Sequence, residues 1–353
     1  MSYQVTIEPT GEQIEVREGQ TILQAALRQG IWLPFACGHG TCATCKIQVL
    51  EGEVDIGAAS SFALMDMERD EGKVLACCAI PRSDLIIEAD IDVDPDFAGH
   101  PVQDYRATVS SILDLSPTIK GVHFELDRPM AFQAGQYVNL QLPGIEGSRA
   151  FSIANPPSRA DAVELHVRLV EGGLATTHIH RQLEVGDTAE ISGPYGQFFV
   201  RESHPGGLIF IAGGSGLSSP QSMILDLLER GDTRPMALFQ GARNRAELYN
   251  RALFERLAAE HANFTYVPAL NQAGDDPEWT GFRGFVHDAA KAHFENRFQG
   301  NKAYLCGPPP MIDAAITTLM QGRLFERDIH MERFYSAADG ASEGQRSALF
   351  KRI

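Results

Sequence analysis

The chain has 353 residues, 44% of them hydrophobic and 22% charged, which is typical of a soluble globular protein with two or three domains. A formal net charge of -16 argues against nucleic acid or anionic membrane as a partner, and reflects either solubility alone or docking onto a basic patch of another protein. No stretch approaches the roughly 20 apolar residues that span a bilayer, and no signal region opens the chain, so we expect a cytoplasmic protein.

The first segment, residues 1–92, predicts a small β-rich domain. It opens with a hairpin signal, Tyr3–Ile7 and Gln13–Val16, around a Pro-Thr-Gly turn. A short helix follows, with Thr21 as its N-cap and Gly30 just past its end. An acidic, proline-containing stretch, residues 93–103, predicts a linker to the next domain.

Four cysteines in this segment carry the clearest chemical signal. Cys37, Cys42 and Cys45 are spaced C-x4-C-x2-C, and Cys77 lies much further on, which is the plant-type ligand pattern of a [2Fe–2S] cluster. Glycines between the first two cysteines allow backbone N–H groups to approach the sulfurs. We therefore predict that these four cysteines bind the cluster as its metal ligands.

The cysteines allow three other interpretations: a zinc site, buried free thiols and a Rieske site. A zinc site usually pairs two C-x-x-C units, whereas here the fourth cysteine stands alone. Buried free thiols are a second, simpler alternative. A Rieske site needs a C-x-x-H partner, and no cysteine of the chain has a histidine three residues on. Cys78 is predicted to point away from Cys77 along a strand, as a small core residue.

The second segment, residues 104–203, consists of short predicted strands between Gly/Pro turns and indicates an antiparallel β-barrel. In its R-x-F-S sequence, Arg149 can clamp a diphosphate, Phe151 can pack against a planar ring and Ser152 can bond a ring nitrogen. A second, Gly-rich element at a predicted helix start can present N–H groups to phosphate. The predicted flavin-binding residues are Arg149, Phe151, Ser152, His166, Val167, Gly173, Ala175 and Thr176.

The third segment, residues 204–353, alternates apolar strands with helices, which predicts a Rossmann-like α/β domain with a parallel sheet. A Gly-rich turn between its first strand and helix is typical of a pyrophosphate site, and two later loops should meet it at the carboxyl edge of the sheet. Cys306 would lie beside the nicotinamide. The predicted nucleotide-binding residues are Gly213, Gly214, Ser215, Gly216, Gly241, Arg243, Cys306, Gly307 and Pro308.

Together the three segments resemble the ferredoxin–NAD reductase family over essentially the whole chain, specifically the reductase components of bacterial multicomponent oxygenases, those of phenol hydroxylases among them. The resemblance implies a β-grasp [2Fe–2S] ferredoxin domain, an FAD barrel and an NAD domain. It rests on R-x-F-S, where the family has R-x-Y-S, on the loops at Gly213–Pro220 and Cys306–Met311, and on Met331–Phe334.

The resemblance also implies roles. Ser152, Cys306 and Glu332 would line the hydride path as catalytic residues, and Phe334 or Tyr335 would cover the flavin. Electrons would pass from NADH through FAD and the cluster to the partner, the diiron oxygenase component of a multicomponent phenol hydroxylase.

Two alternative functions stay open, and the choice of nucleotide is a separate question. The alternatives are a stand-alone NADH:acceptor reductase that acts on quinones or ferric chelates, and a non-catalytic redox sensor. NADH is preferred over NADPH because no obvious basic cluster cradles a 2′-phosphate, although Arg243 and Arg245 lie near its place.

Overall fold

The fold is that of a computed structural model whose described residues are 1–91, 94–274 and 276–334. Within these ranges, every helix is too short or too polar to cross a bilayer. The chain divides into two compact units, Met1–Gln103 and Asp104–Ile353.

The first unit is a mixed β-sheet with the helix predicted from sequence. Its five-stranded sheet has the order β2-β1-β7-β3-β5, in which β1 pairs with β2 in the predicted hairpin and with β7 in parallel. Thr21 caps α1 as predicted, and Gly30 follows its end at φ 78°. The elements are β1 (Ser2–Glu8), β2 (Glu12–Arg17), α1 (Ile22–Arg28), β3 (Lys46–Glu51), β4 (Val54–Asp55), α2 (Asp66–Asp70), β5 (Lys73–Leu75), β6 (Ile80–Pro81) and β7 (Leu85–Glu88).

The stretch predicted as a linker packs onto this first unit where it is described. The Val102 amide donates to the Leu27 carbonyl oxygen at 2.9 Å, and the Val102 side chain is buried. The Phe97 ring stands edge-on to Trp32 with ring centroids 5.6 Å apart. Residues 94–102 therefore belong structurally to the first unit.

The second unit begins with the antiparallel barrel. Its strands follow the order β11-β10-β13-β8-β9-β12, and a bridge between Ile153 and Leu165 links the two end strands of this sheet. One face of the sheet encloses an apolar core that includes Phe124, Val138 and Leu165. The elements are β8 (Gln103–Ser116), β9 (Ile119–Leu126), β10 (Tyr137–Gln141), β11 (Arg149–Ser152), β12 (Ala162–Arg168), α3 (Leu174–Arg181) and β13 (Thr188–Tyr195).

A six-stranded parallel sheet with the order β17-β16-β15-β14-β18-β19 forms the rest of this unit, as the alternating pattern predicts. Alternate residues of its central strand face opposite layers: Phe210 packs with α4 and α5, and Ile211 with α6 and α7. The elements are β14 (Gly207–Gly213), α4 (Ser218–Glu229), β15 (Met236–Ala242), α5 (Arg251–Glu260), β16 (Phe264–Leu270), β17 (Phe282–Arg283), α6 (Val286–His293), β18 (Asn301–Gly307), α7 (Pro309–Gln321) and β19 (Ile329–Arg333), with 3-10 turns at Gly214–Leu217, Arg245–Glu247 and Glu326–Asp328.

Candidate functional site

The loop after α1 brings Cys37 and Cys42 together through its own backbone. The Thr41 amide donates to Cys37 Sγ and the Cys37 amide donates to Cys42 Sγ, both at 3.4 Å. Gly38 and Gly40 have φ values of 71° and 84°, which lie in the left-handed region that favours glycine. The glycines thus let the loop turn its N–H groups toward the sulfurs, as the sequence predicts.

Cys45 and Cys77 form a second pair, with their Sγ atoms 3.2 Å apart. The Ala76 amide donates to the Cys45 carbonyl oxygen at 2.8 Å, which ties the two chain segments together. The first N–H groups of α1, which have no partner within a helix, donate to the turn around Cys77: Ile22 to the Ala79 carbonyl and Leu23 to the Ala76 carbonyl. The helix start therefore fixes the fourth cysteine.

Two of these thiols are disposed to ionise, which iron ligation requires. Desolvation raises the pKa of Cys37, but hydrogen bonds from His39 and Thr41 outweigh it and lower that pKa to about 6. The hydrogen bond with Cys77 lowers the pKa of Cys45 to about 7. All six cysteines lie in the described ranges and none is in a disulfide.

The prediction for Cys78 is wrong. Cys78 lies in a turn and not on a strand, so its side chain does not alternate away from Cys77. Its Sγ is 3.7 Å from Cys77 Sγ, and it is half-buried against the cysteine loop, where a Cβ on Gly40 would come within 2.6 Å of it. Cys78 is therefore a neighbour of the ligand cysteines and not a core residue.

The barrel places the R-x-F-S residues on β11, at the edge of its sheet. Arg149 is exposed and donates to the Ser148 carbonyl oxygen, Phe151 is half-buried against the barrel core, and Ser152 is buried. The second element begins α3 as predicted, with Gly173 at the N-cap. Thr176 Oγ1 accepts from the Val170 amide and so ties down the loop before α3, while Ala175 is buried. Their contacts with a flavin stay a prediction.

His166 occupies an internal network. Its Nε2 is 2.8 Å from Glu164 Oε1, and its Nδ1 is 3.1 Å from the Tyr249 hydroxyl, which donates to the Gly214 carbonyl oxygen at 3.3 Å. Both ring nitrogens are thus engaged by the protein, and Val167 is buried in the barrel core. Any contact of these two residues with a flavin would come from their main chain.

The three nucleotide loops meet at the carboxyl edge of the parallel sheet, as predicted. Gly213 pairs with Gly241, and Ala212 with Cys306. A Cβ on Gly216 would lie 2.5 Å from the Cys306 carbonyl oxygen, so only glycine allows this approach. Gly307 and Pro308 lead into α7, and Ser215 lies in the 3-10 turn that precedes α4.

A polar centre forms where this edge meets the end of β11. Glu332 Oε2 accepts from Ser152 Oγ at 3.1 Å and from Ser219 Oγ at 3.3 Å, and lies 3.8 Å from Cys306 Sγ. Burial raises the pKa of Glu332 to about 7, in spite of these three hydrogen bonds, and it also raises the pKa of Cys306. The predicted catalytic residues Ser152, Cys306 and Glu332 therefore lie in direct contact.

The arginines near the expected ribose position are occupied by carboxylates. Arg243 Nη2 lies 3.2 Å from Glu247 Oε1, and Arg245 Nη1 lies 2.7 Å from Glu278 Oε2 and 3.3 Å from Asp276 Oδ2. This pairing leaves little positive charge for a 2′-phosphate. Phe334 is half-buried beside Cys306, with its amide bonded to the Gly307 carbonyl oxygen, and Tyr335 lies outside the described residues.

Three residues near these loops were not predicted as site residues. Ser219 contacts Glu332, Tyr249 bonds the Gly214 carbonyl oxygen, and Arg168 Nη1 lies 3.3 Å from where a Cβ on Gly214 would stand. Ser219 lies in the first turn of α4, directly after the glycine turn, so the sequence indicated its neighbourhood but not its contact with Glu332. Arg168 directly follows the predicted residue Val167. Tyr249 had no signal in the sequence, because it precedes α5 in an unremarkable loop.

Comparisons with known proteins identify three domain families in chain order. Residues 5–82 match the 2Fe-2S iron-sulfur cluster binding domain, residues 106–200 the oxidoreductase FAD-binding domain and residues 210–317 the oxidoreductase NAD-binding domain. The order agrees with the predicted ferredoxin, FAD and NAD domains.

Relatives cover the whole chain. It is 82% identical to the reductase component of phenol 2-monooxygenase from Pseudomonas sp. strain CF600 and 70% identical to the phenol hydroxylase P5 protein of Acinetobacter pittii strain PHEA-2, each over 100% of both chains. A solved Amycolatopsis reductase is 37% identical, with a TM-score of 0.83, over 94% of this chain and 98% of that one. The ferredoxin reductase in carbazole 1,9a-dioxygenase is 27% identical, with a TM-score of 0.75, over 95% and 99% of the two chains.

Proposed function

The chain belongs to the family of reductase components of bacterial multicomponent oxygenases, and we propose that it serves the oxygenase of a multicomponent phenol hydroxylase. It is an NADH-dependent oxidoreductase with a [2Fe–2S] domain, an FAD domain and an NAD domain. The partner oxygenase is proposed to be a diiron enzyme, as the family resemblance implies. The proposed place of action is the cytoplasm, where six free cysteines stay reduced.

The observation that carries this proposal is the contact between Ser152 and Glu332. Ser152 ends a barrel strand, and Glu332 stands beside Cys306 at the carboxyl edge of the parallel sheet, yet their side-chain oxygens are 3.1 Å apart. Ligands bind at that edge in open α/β sheets. The barrel and the nucleotide-binding sheet therefore share one polar centre, as the meeting of a flavin with a nicotinamide requires.

The residues present fit the three cofactors. The cluster would be held by Cys37, Cys42, Cys45 and Cys77, whose chemistry as soft thiolates suits iron. FAD would be held by the β11 and α3 residues named above, and NADH by the loops at Gly213–Gly216, Gly241 and Cys306–Pro308, where missing Cβ atoms allow close backbone approach. When bound, the flavin and the cluster convert a hydride from NADH into electrons delivered singly.

The chain's own residues then provide position and charge. Ser152 and Ser219 hold the Glu332 carboxyl group by donating to the same oxygen. The nicotinamide of NADH becomes positively charged as its hydride leaves, so an ionised Glu332 beside it favours that step. The fully buried Cys306 lies with its Sγ 3.8 Å from Glu332 Oε2, and so contributes to the shielding of that carboxyl group from water.

An anaerobic titration of the purified protein with NADH, followed by visible absorbance and EPR, tests this function. We expect flavin bleaching together with a rhombic [2Fe–2S] signal, and NADH-dependent reduction of a phenol hydroxylase oxygenase component added afterwards. Bleaching without the EPR signal would contradict the assignment of the cysteines.

A matched pair of cysteine variants assigns the order of electron transfer. Cys42→Ser should abolish the EPR signal and oxygenase reduction while NADH still bleaches the flavin. Cys78→Ser, which changes a neighbouring thiol that is not a proposed ligand, should keep all three. Undiminished oxygenase reduction by Cys42→Ser would contradict the proposed path.

A further inference from the structure

An exposed apolar patch lies beside the cysteine loop. Phe62 is 96% exposed, and Met65 and Met67, within the next five residues, are 53% and 66% exposed. Single exposed apolar side chains are ordinary on protein surfaces, but three within six residues call for an explanation. These three side chains are called the Phe62 patch below.

The backbone that carries the Phe62 patch is fixed to the cysteine loop. The Ser60 amide donates to the Gly40 carbonyl oxygen at 3.0 Å, and a Cβ on Gly40 would lie 3.4 Å from Ala59 Cα. Between the exposed side chains, Ala63 and Leu64 are buried and anchor the segment in the unit's core. The patch is therefore presented outward by a supported segment next to Cys37 and Cys42.

The surroundings of the patch are acidic. Asp66 and Asp70 are exposed beside it. The nearby cations are all paired with carboxylates: Lys46 with Glu68 at 2.5 Å, Lys73 with Glu71 at 3.1 Å, and Arg69 with Asp66 at 3.9 Å. Across residues 1–91, acidic side chains outnumber basic ones by more than two to one. An apolar centre with an acidic rim is complementary to an apolar depression bordered by lysines and arginines.

We propose that the Phe62 patch, with Asp66 and Asp70 at its rim, is the surface on which the partner oxygenase docks to receive electrons. This rests on the proposed function, because an electron leaves the cluster only where the acceptor comes close to it. The oxygenase would present an apolar pocket for Phe62 within a basic border. Phe62 supplies affinity as a buried aromatic anchor, and the carboxylates supply orientation and encounter rate.

Steady-state turnover of the full-length protein with increasing amounts of a phenol hydroxylase oxygenase component tests this surface. Phe62→Ala should raise the oxygenase concentration for half-maximal rate about tenfold or more, the usual effect of losing an interface hot spot. The double change Asp66→Asn with Asp70→Asn should raise it about threefold and weaken its dependence on salt. Leu50→Ala is the matched control. The Leu50 side chain is likewise an exposed apolar group, at 51% exposure, but it lies at the end of β3 away from Cys45. Its replacement should leave the half-maximal oxygenase concentration unchanged.

Because Phe62 is exposed, its replacement should leave the melting temperature and the cluster spectrum unchanged. If the oxygenase concentration that gives half-maximal rate with Phe62→Ala is within twofold of the wild-type value, the docking surface is wrong. The proposed function would be left intact. If NADH reduces the cluster of Phe62→Ala more slowly than that of the wild-type protein, the patch serves internal electron transfer. That outcome would also overturn the proposal that the patch docks the oxygenase. A wild-type protein that delivers no electrons to the oxygenase would overturn the proposed function first.

Discussion

Glu332 brings an ionisable group into a site made otherwise of neutral side chains. The residue keeps some solvent exposure, but its carboxyl group is enclosed by Ser152, Ser219 and Cys306. Burial disfavours the charged form, and the three hydrogen bonds oppose that effect without cancelling it, which leaves a pKa of about 7. The carboxyl group therefore changes its charge within the physiological range.

This titration should appear in the rate of hydride transfer. With a pKa of about 7, the ionised fraction rises about tenfold between pH 6 and pH 8. Since negative charge favours the developing nicotinamide cation, we expect the rate of flavin bleaching by NADH, measured by stopped flow, to rise by up to about tenfold over that range. Glu332→Gln, which cannot ionise, should give a low and flat profile.

The matched control for this prediction is Asp313→Asn. Asp313 is a carboxylate of the same unit that pairs with Arg333 at the protein surface, and its loss should leave the inflection in place. An inflection near pH 7 that persists in Glu332→Gln would assign the titration to another group.

The sequence predicts some of these residues and not others for physical reasons. Cys37, Cys42 and Cys45 were predictable because their spacing is a local pattern. Cys77 was predictable because cysteine is a rare residue, which leaves few candidates for the fourth ligand. Ser219 was not, because it meets Glu332 only after 113 residues of folded chain, and nothing local shows which serine of the loop turns inward. Cys78 was wrongly predicted because neighbouring side chains alternate only on a strand, and this pair lies in a turn.

At the scale of elements, a hydrogen-bonded chain joins barrel strand β12 to the loop before α4. Glu164 and His166 project from β12, and Tyr249 reaches from the loop before α5 to the Gly214 carbonyl oxygen. His166 Nε2 lies 2.8 Å from Glu164 Oε1, His166 Nδ1 lies 3.1 Å from the Tyr249 hydroxyl, and that hydroxyl donates to the Gly214 carbonyl oxygen. This series of hydrogen bonds thereby holds the glycine turn of the nucleotide site at a fixed distance from the barrel.

Tyr249→Phe should loosen that turn without touching the reacting groups. The loss of one hydrogen bond to a partly buried carbonyl is worth about 1 kcal/mol, so we expect the KM for NADH to rise about fivefold while kcat changes little. Steady-state NADH oxidation with ferricyanide as acceptor measures both constants. Tyr304→Phe is the control, since its buried hydroxyl accepts from the Arg201 amide instead. A purely structural role would lower the stability of both variants and raise neither KM, against this prediction.

The elements themselves were largely predictable. Parallel strands with apolar runs and a glycine turn after the first strand are enough to place Gly213, Gly241 and Cys306 at one edge, as the strand registers have them. The network through Tyr249 was not predictable, because it depends on a side chain from an irregular loop that meets the barrel only in three dimensions.

For the whole molecule, the boundary between the two compact units is set by packing and not by composition. The acidic stretch after β7 has the composition of a linker, but Phe97 and Val102 return to the helix end of the first unit. The composition of a segment indicates whether most of its side chains prefer water. One or two apolar residues can nevertheless decide whether the segment packs against a folded domain. The unit boundary accordingly falls at Gln103, eleven residues past the end predicted for the ferredoxin domain.

Two fragments of the first unit test this boundary. Residues 1–103 should fold and bind the cluster, and residues 1–92 should fold less stably, because they lose the burial of Val102 and the contact between Trp32 and Phe97. These losses amount to about 2 to 4 kcal/mol, which corresponds to a melting temperature lower by roughly 10 °C or more for a domain of this size. Thermal unfolding followed by the visible absorbance of the cluster measures the difference.

The remainder of the chain, starting at Asp104, is the complementary test. It keeps the β8 pairing with β9, which begins at Ala107, and the whole polar centre around Glu332. It should therefore reduce ferricyanide with NADH at close to the full-length rate and deliver no electrons to an oxygenase. Equal melting temperatures for the two short fragments would mean that residues 94–102 add nothing to the first unit. A fragment from Asp104 that binds no flavin would mean that the second unit depends on the first for its fold.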